Sequence, residues 1–319
     1  MKLKKLALTL TVALSTFALA ACSQNTKVKN LEVSEKSEVP KDITITHEID
    51  EVTLNVNPEK IIVFDYGVLD SLDALGEEVI GLPKSNIPTH LDKYNDEKYE
   101  DVGTLKEPNF EKIYELKPDV IFISTRQKDL YEQFKEIAPT IYVPLYGEKY
   151  LQSFKDNMNI IGKIFNKENE VKEEILKIET ASNELNDQVK SSGKNALFIM
   201  ADEGSMSAYG LGSRFGIIHD QFGFIPVDEK IDTSTHGQKI SFEYIVEKNP
   251  DYIFIIDRGA VTSNGNLSAE NLMNNDMMKK TAAFENDNIV YLDSHIWYVA
   301  TGGINGTMKM IEEVKASVN

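Results

Sequence analysis

FEKIYELKPDVIFISTR at residues 110–126 and FEYIVEKNPDYIFIIDR at residues 242–258 agree at ten of seventeen positions. The matches include Glu111/Glu243, Ile113/Ile245, Pro118/Pro250, Asp119/Asp251 and Arg126/Arg258. Each copy opens as a short amphipathic helix, breaks at a Pro-Asp turn and continues as an apolar run. A run without alternation suits a strand buried on both faces of a parallel sheet. Two copies are too few for a solenoid. They mark two similar lobes, each offering an arginine at the same place.

The flanking sequence alternates in the same way. KIIVFDY (60–66), EVIGL (78–82) and TIYVPL (140–145) read as strands of the first lobe, and GVLDSLDALG (67–76) as a helix with a glycine stop. NALFIMAD (195–202) and NIVYLD (288–293) read as strands of the second lobe. SRFGIIHDQFG (213–223) and GGINGTMKMIEEVKASV (302–318) read as its helices. Between the lobes, Val171, Ile175, Ile178, Ala181, Leu185 and Val189 recur every three or four residues within 167–190. That is one amphipathic helix of about 36 Å. The expected fold is α/β: two three-layer lobes with mainly parallel sheets, 42–166 and 192–319, joined by one long helix, 167–191.

The amino terminus carries an export signal. Lys2, Lys4 and Lys5 precede an apolar stretch, Leu6 to Leu19, of signal-peptide length. Leu19-Ala20-Ala21-Cys22 follows and resembles the bacterial lipobox, whose cysteine becomes lipidated. Cys22 is the only cysteine of the chain and occupies the position lipidation requires. Residues 1–21 therefore read as a lipoprotein signal peptide, and 22–41 as the lipidated cysteine with a polar tether. The body is expected outside the cytoplasm, anchored to the cell membrane through lipid on Cys22.

The formal net charge is −17, and removal of three leader lysines makes it more negative. So acidic a body argues against nucleic-acid binding. Among 34 Lys and Arg only Arg126, Arg214 and Arg258 are arginines, and each follows a strand or a glycine turn. Ligand crevices of open α/β sheets lie beyond the carboxyl ends of strands. Arginine is the cation suited to a planar fork against carboxylate-like oxygens. A convergent anion-binding triad is the expectation. Asp65 and Tyr66 end the first strand and are placed at the same cleft.

VFDYGVLDSLDALG (63–76), VGTLKEPNFEKIYELKPDVIFIS (102–124) and STHGQKISFEYIVEKNPDYIFI (234–255) resemble the substrate-binding lipoproteins of iron-siderophore ABC importers. The resemblance is closest to the ferric catecholate subgroup and runs from about residue 42 to the end. It implies that Arg126, Arg214 and Arg258 surround an anionic ferric catecholate. It implies that His236 and Tyr298 complete the iron shell of a tetradentate chelate, with Trp297 beside the ligand. It implies that Glu111 and Glu243 dock on the permease. Iron(III) would arrive as cargo inside the siderophore, with no intrinsic cofactor. The partners implied are the ferric siderophore, the ABC permease with its ATPase, and the membrane; the protein would be a monomer. Phenolate oxygen suits hard iron(III), and imidazole is a common iron ligand. His295 competes with His236 for that role, His219 falls on an apolar helix face, and His47 and His90 show no partner in the sequence.

Three other functions share parts of this pattern. Haem uptake would use His and Tyr as ligands and arginines for propionates. A zinc or manganese lipoprotein would need three or four converging His and carboxylate ligands, against which five scattered histidines count. An exported α/β enzyme finds no GxGxxG spacing in GLGSRFG (210–216), and no GxSxG elbow occurs.

Overall fold

The computed structural model describes residues 41–262 and 268–318; the leader, Cys22 and the tether up to residue 40 lie outside the described residues. A hairpin of β1 (Asp42–Thr46) and β2 (Glu51–Asn55) opens the body. The first-lobe sheet contains β3 (Ile61–Val63), β4 (Gly81–Leu82), β5 (Glu100–Asp101), β6 (Val120–Ile123) and β7 (Thr140–Tyr142). Its order is β5-β4-β3-β6-β7, and every pair is parallel. The second-lobe sheet contains β8 (Asn195–Asp202), β9 (Ser205–Tyr209), β10 (Ile225–Pro226), β11 (Gln238–Ile240), β12 (Tyr252–Asp257) and β13 (Ile289–Tyr291). Its main path is β11-β9-β8-β12-β13, with β10 paired to β8.

This second sheet is mixed. β8, β10, β12 and β13 pair in parallel, whereas β9 lies antiparallel to both β8 and β11. Glu203 and Gly204, both at positive φ, turn the chain between Asp202 and Ser205 in a two-residue hairpin. The helix expected over 213–223 is limited to Ile217–Asp220, so Arg214 sits in the turn before it.

The repeated segments fold alike because the same residues do the same work. The helices Phe110–Leu116 and Phe242–Lys248 are N-capped by Asn109 and Ser241. Both end on a left-handed residue, Lys117 or Asn249, and the following proline prevents continuation. The repeated aspartates then fasten the turn to the adjacent central strand. Asp119 Oδ2 accepts from the amides of Glu59 and Lys60, at 3.1 and 2.8 Å. The Asp251 carboxylate accepts from the Asn195 amide and Lys194 Nζ, at 3.1 and 2.8 Å. Each arginine therefore leaves its sheet at an equivalent point.

The second-repeat helix has a further tie. Asp228 accepts from Lys248 Nζ at 2.8 Å, the Lys230 amide at 2.9 Å and the Tyr244 hydroxyl at 3.0 Å. The Lys248 bond, foremost, holds its carboxyl at about 2. A depressed folded pKa contributes stability above the unfolded value and loses it as pH falls through the folded one. Asp228→Asn is therefore expected to melt below wild type at neutral pH. Parallel melting curves should show that gap closing as pH falls from about 4 to about 2.

The joining helix spans Glu168–Ser192 and buries Val171, Ile178, Leu185 and Val189. It packs on the helix Tyr150–Ile164 and on the closing helix Ile304–Ser317. The closing helix, read from sequence as part of the second lobe, also packs on the first-lobe helix Tyr66–Ala74. One apolar core consequently runs from Ile61 and Val63 through Leu185 to Phe254 and Val314. Each fully buried aliphatic side chain in it contributes about 1.5–3 kcal/mol.

Candidate functional site

Arg126 is placed by what surrounds it. β6 ends at Ile123, and Gln127 is wholly buried, with Oε1 accepting from the Ser124 amide and Nε2 donating to the Leu105 carbonyl. With position 127 turned inward, Arg126 extends outward and is exposed. Arg258 follows β12, its amide donating to Ala201 O at 2.9 Å. Arg214 follows β9 through a glycine turn in which Gly212 adopts φ +65°. Across from it Gly147 makes a close approach, since a Cβ there would lie 2.2 Å from Ser213 O.

The three arginines meet at Tyr298. Arg126 Nη2 donates to the Tyr298 carbonyl at 3.1 Å, and Arg214 Nη2 donates to the same oxygen. Arg258 Nε donates to the Tyr298 hydroxyl at 3.0 Å, while its Nη1 pairs with Asp202. The Arg214 guanidinium lies 4.4 Å from the centre of the Tyr298 ring. Among the described residues Arg258 has a carboxylate within salt-bridge distance, and Arg126 and Arg214 do not.

The electrostatics follow. Burial, and then the charge of Arg126, push the Arg214 pKa down. Burial alone would raise the Tyr298 phenol. The hydrogen bond from Arg258 and the charges of Arg214 and Arg258 outweigh it, so the phenol lies below the usual tyrosine value. Asp65 caps the Tyr66–Ala74 helix with bonds from the Gly67 and Val68 amides. Its carboxyl is raised by burial, against the opposing pull of Arg126.

Two chambers flank this cluster, and Arg126 borders both. One, of about 580 Å³, is lined by Asn86, Lys106, Asp202, Arg258 and Tyr298 among others. The other, of about 480 Å³, is lined by Asp65, Tyr146, Arg214, Ser234 and Thr301 among others. Sequence reasoning missed Lys106, which is one lysine among many. It also missed Asp202, although that residue closes the apolar segment NALFIMAD much as Asp65 follows the apolar segment KIIVF.

The remaining expected residues are distributed unevenly. His236 is exposed in the turn after Thr233–Thr235, which line the second chamber. His295 is half-buried at the start of the π-helical turn His295–Val299 that carries Tyr298. Trp297 is not a cleft residue. It is fully buried, packs on Phe198 and donates to Glu313, because neighbouring residues of that turn point to opposite sides. Tyr66 is not at the cleft either. It is buried, and its hydroxyl donates to Pro83 O. Glu111 and Glu243 are exposed in the first turns of the two repeated helices. His219 is buried with Nδ1 against Phe224 O. His47 does have partners, the Thr140 carbonyl and the Ile49 amide, and His90 faces buried Asp70 at 3.4 Å.

Two α/β lobes on a shared core, with three arginines converging in the cleft between them, define a solute-binding architecture, and the chain belongs to the periplasmic binding protein family, whose profile matches residues 61–296. It is 43% identical over 318 residues to the petrobactin-binding protein YclQ of Bacillus subtilis, covering 98% of both chains. It is 30% identical to the ferric-anguibactin-binding protein FatB of Vibrio anguillarum, covering 90% of each. The crystal structure of YclQ superposes with a TM-score of 0.85 at 45% identity, covering 88% of this chain and 99% of that one. The periplasmic catecholate-siderophore binding protein VctP of Vibrio cholerae superposes with a TM-score of 0.82 at 33% identity, covering 86% and 99%.

Proposed function

We propose that this protein captures a ferric catecholate siderophore in the interlobe cleft and delivers it to an ABC importer. The observation that carries the reading is the convergence of Arg126, Arg214 and Arg258 on Tyr298, with two of the three lacking a carboxylate partner among the described residues. Guanidinium groups held together, two of them with no carboxylate at salt-bridge distance among the described residues, suit an anionic chelate, and partial desolvation strengthens such pairing. The relatives named for petrobactin, ferric anguibactin and catecholate siderophores support the same ligand class.

Tyr298 offers an iron(III) ligand whose phenol is already biased toward phenolate. His236, on the loop that lines the second chamber, supplies the other protein ligand. Iron is cargo here, held chiefly by the siderophore. Glu111 and Glu243 dock on the permease, and Cys22 carries the lipid that keeps the protein at the outer face of the membrane. Among the described residues no helix is long and apolar enough to cross a membrane.

Titration with the ferric complex of a synthetic tetradentate bis(catecholamide) tests the reading, with haem and a ferric hydroxamate as controls. Saturable binding of the catecholate is expected. Tyr298→Phe and His236→Ala should each alter its charge-transfer band and weaken binding about tenfold, the loss of roughly one good ligand contact. Tight binding of haem alone would overturn the assignment and leave the fold intact.

A further inference from the structure

Tyr298 sits on a turn bonded to a residue that lines neither chamber. Glu313, half-buried on the closing helix, accepts at both carboxylate oxygens. Oε2 takes the indole N–H of Trp297 at 2.7 Å, and Oε1 takes the amide of Asp293 at 3.1 Å. The two donors bracket the first half of the turn that carries Tyr298. Asp293 in turn accepts from the amides of His295 and Ile296, at 2.9 and 3.3 Å. The turn itself is π-helical over His295–Val299, and the Ala300 amide reaches His295 O at 3.1 Å. A wide turn of this kind is costlier than an α-helical one and persists where its surroundings hold it. With Trp297 fastened inward against Phe198, 5.7 Å between ring centres, the next side chain must face the cleft.

We propose that Glu313 is a positioning residue for ligand capture: by fastening Asp293 and Trp297 it presents Tyr298, oxygen atoms outward, to Arg126, Arg214 and Arg258. The proposal rests on the ferric catecholate reading only for the identity of the captured ligand. Burial raises the Glu313 carboxyl, and the bonds from Trp297 and the Asp293 amide oppose that shift by favouring the carboxylate.

The test compares Glu313→Ala and Glu313→Gln with wild type. Three measurements are made: binding of the ferric bis(catecholamide), emission of Trp297, which is the only tryptophan, and hydrogen exchange at the amides of residues 296–299 in the free protein. Glu313→Ala should bind about tenfold more weakly, the loss of one charge-assisted bond. Its emission should shift to the red and its exchange should quicken. Glu313→Gln keeps one acceptor oxygen and should recover part of each change; it carries the test if the alanine variant does not fold. Wild-type affinity in the alanine variant, or weakened binding with unchanged emission and exchange, overturns the proposal. If wild type binds no catecholate, the functional reading fails, while emission and exchange still decide whether Glu313 holds the turn.

Discussion

Arg214→Ala is expected to lower affinity for a ferric bis(catecholamide) by about 30- to 100-fold, the loss of a charge-assisted, partly desolvated contact of about 2–3 kcal/mol. The free protein should melt no lower than wild type. The two halves of that expectation come from one geometry. Arg214 is half-buried, has no carboxylate within salt-bridge distance among the described residues, and shares the Tyr298 carbonyl with Arg126. In the free protein its charge is opposed by burial and by the neighbouring guanidinium, which offsets the loss of its bond to the Tyr298 carbonyl and of its contact with the Tyr298 ring. In the complex that same charge faces the chelate. Arg258→Ala should behave differently. Its guanidinium is already neutralised by Asp202, so less of its charge is available to a ligand, and its loss leaves a carboxylate uncompensated. Isothermal titration and thermal melting on both variants decide the matter. Wild-type affinity in Arg214→Ala would remove the arginine cluster from the binding account.

Much of this architecture is legible in the sequence alone, and the reasons are local. The repeated helix, Pro-Asp turn and apolar strand encode their own caps and their own fastening to the next strand, so Phe110–Ile123 and Phe242–Asp257 were legible. The long joining helix declared itself through Val171, Ile178, Leu185 and Val189. β9 and β11 were not legible. Ser205–Tyr209 and Gln238–Ile240 are short and mix polar with apolar residues, and β11 is stabilised by pairing with β9, distant in sequence. The hairpin turn at Glu203-Gly204 is also not among the strongest turn dipeptides. At the cleft, the arginines stood out because the chain uses lysine almost everywhere else. Adjacency to Tyr298 in sequence does not bring Trp297 to the site, because in the turn that holds them residues 297 and 298 diverge into core and cleft. Glu313 carries no sequence signal at all, being one acid among 51 on an ordinary amphipathic helix.

Gly67→Ala should be among the most damaging single-methyl additions in the body. Gly67 lies in the first turn of the Tyr66–Ala74 helix, against the segment that leads from the Tyr298 turn into the closing helix. A Cβ at this position would stand 2.2 Å from Thr301 O and 3.0 Å from Gly303 N, both backbone atoms that no rotamer change can move. The two elements are also sewn together on that face. Ser71 Oγ donates to Gly67 O at 2.9 Å and accepts from the Ile304 amide at 3.2 Å, and Asp70 Oδ2 accepts from the Gly306 amide at 3.0 Å. Relief of the clash has to stretch those buried bonds, so overpacking and weakened hydrogen bonds act together, at about 3 kcal/mol. For a body of this size that corresponds to a fall in Tm of at least about 5 °C. Because Thr301 lines the second chamber and follows Tyr298 by three positions, ligand affinity should fall in the same variant. Gly162→Ala is the matched control. Its Cβ would meet the Val171 side chain at 3.2 Å and the Glu168 Cα at 3.3 Å, a contact that small adjustments absorb, and alanine favours the helix it joins. A Gly67→Ala protein that melts with the control and binds like wild type would mean that the two elements slide freely, and that the shared core does not fix the cleft.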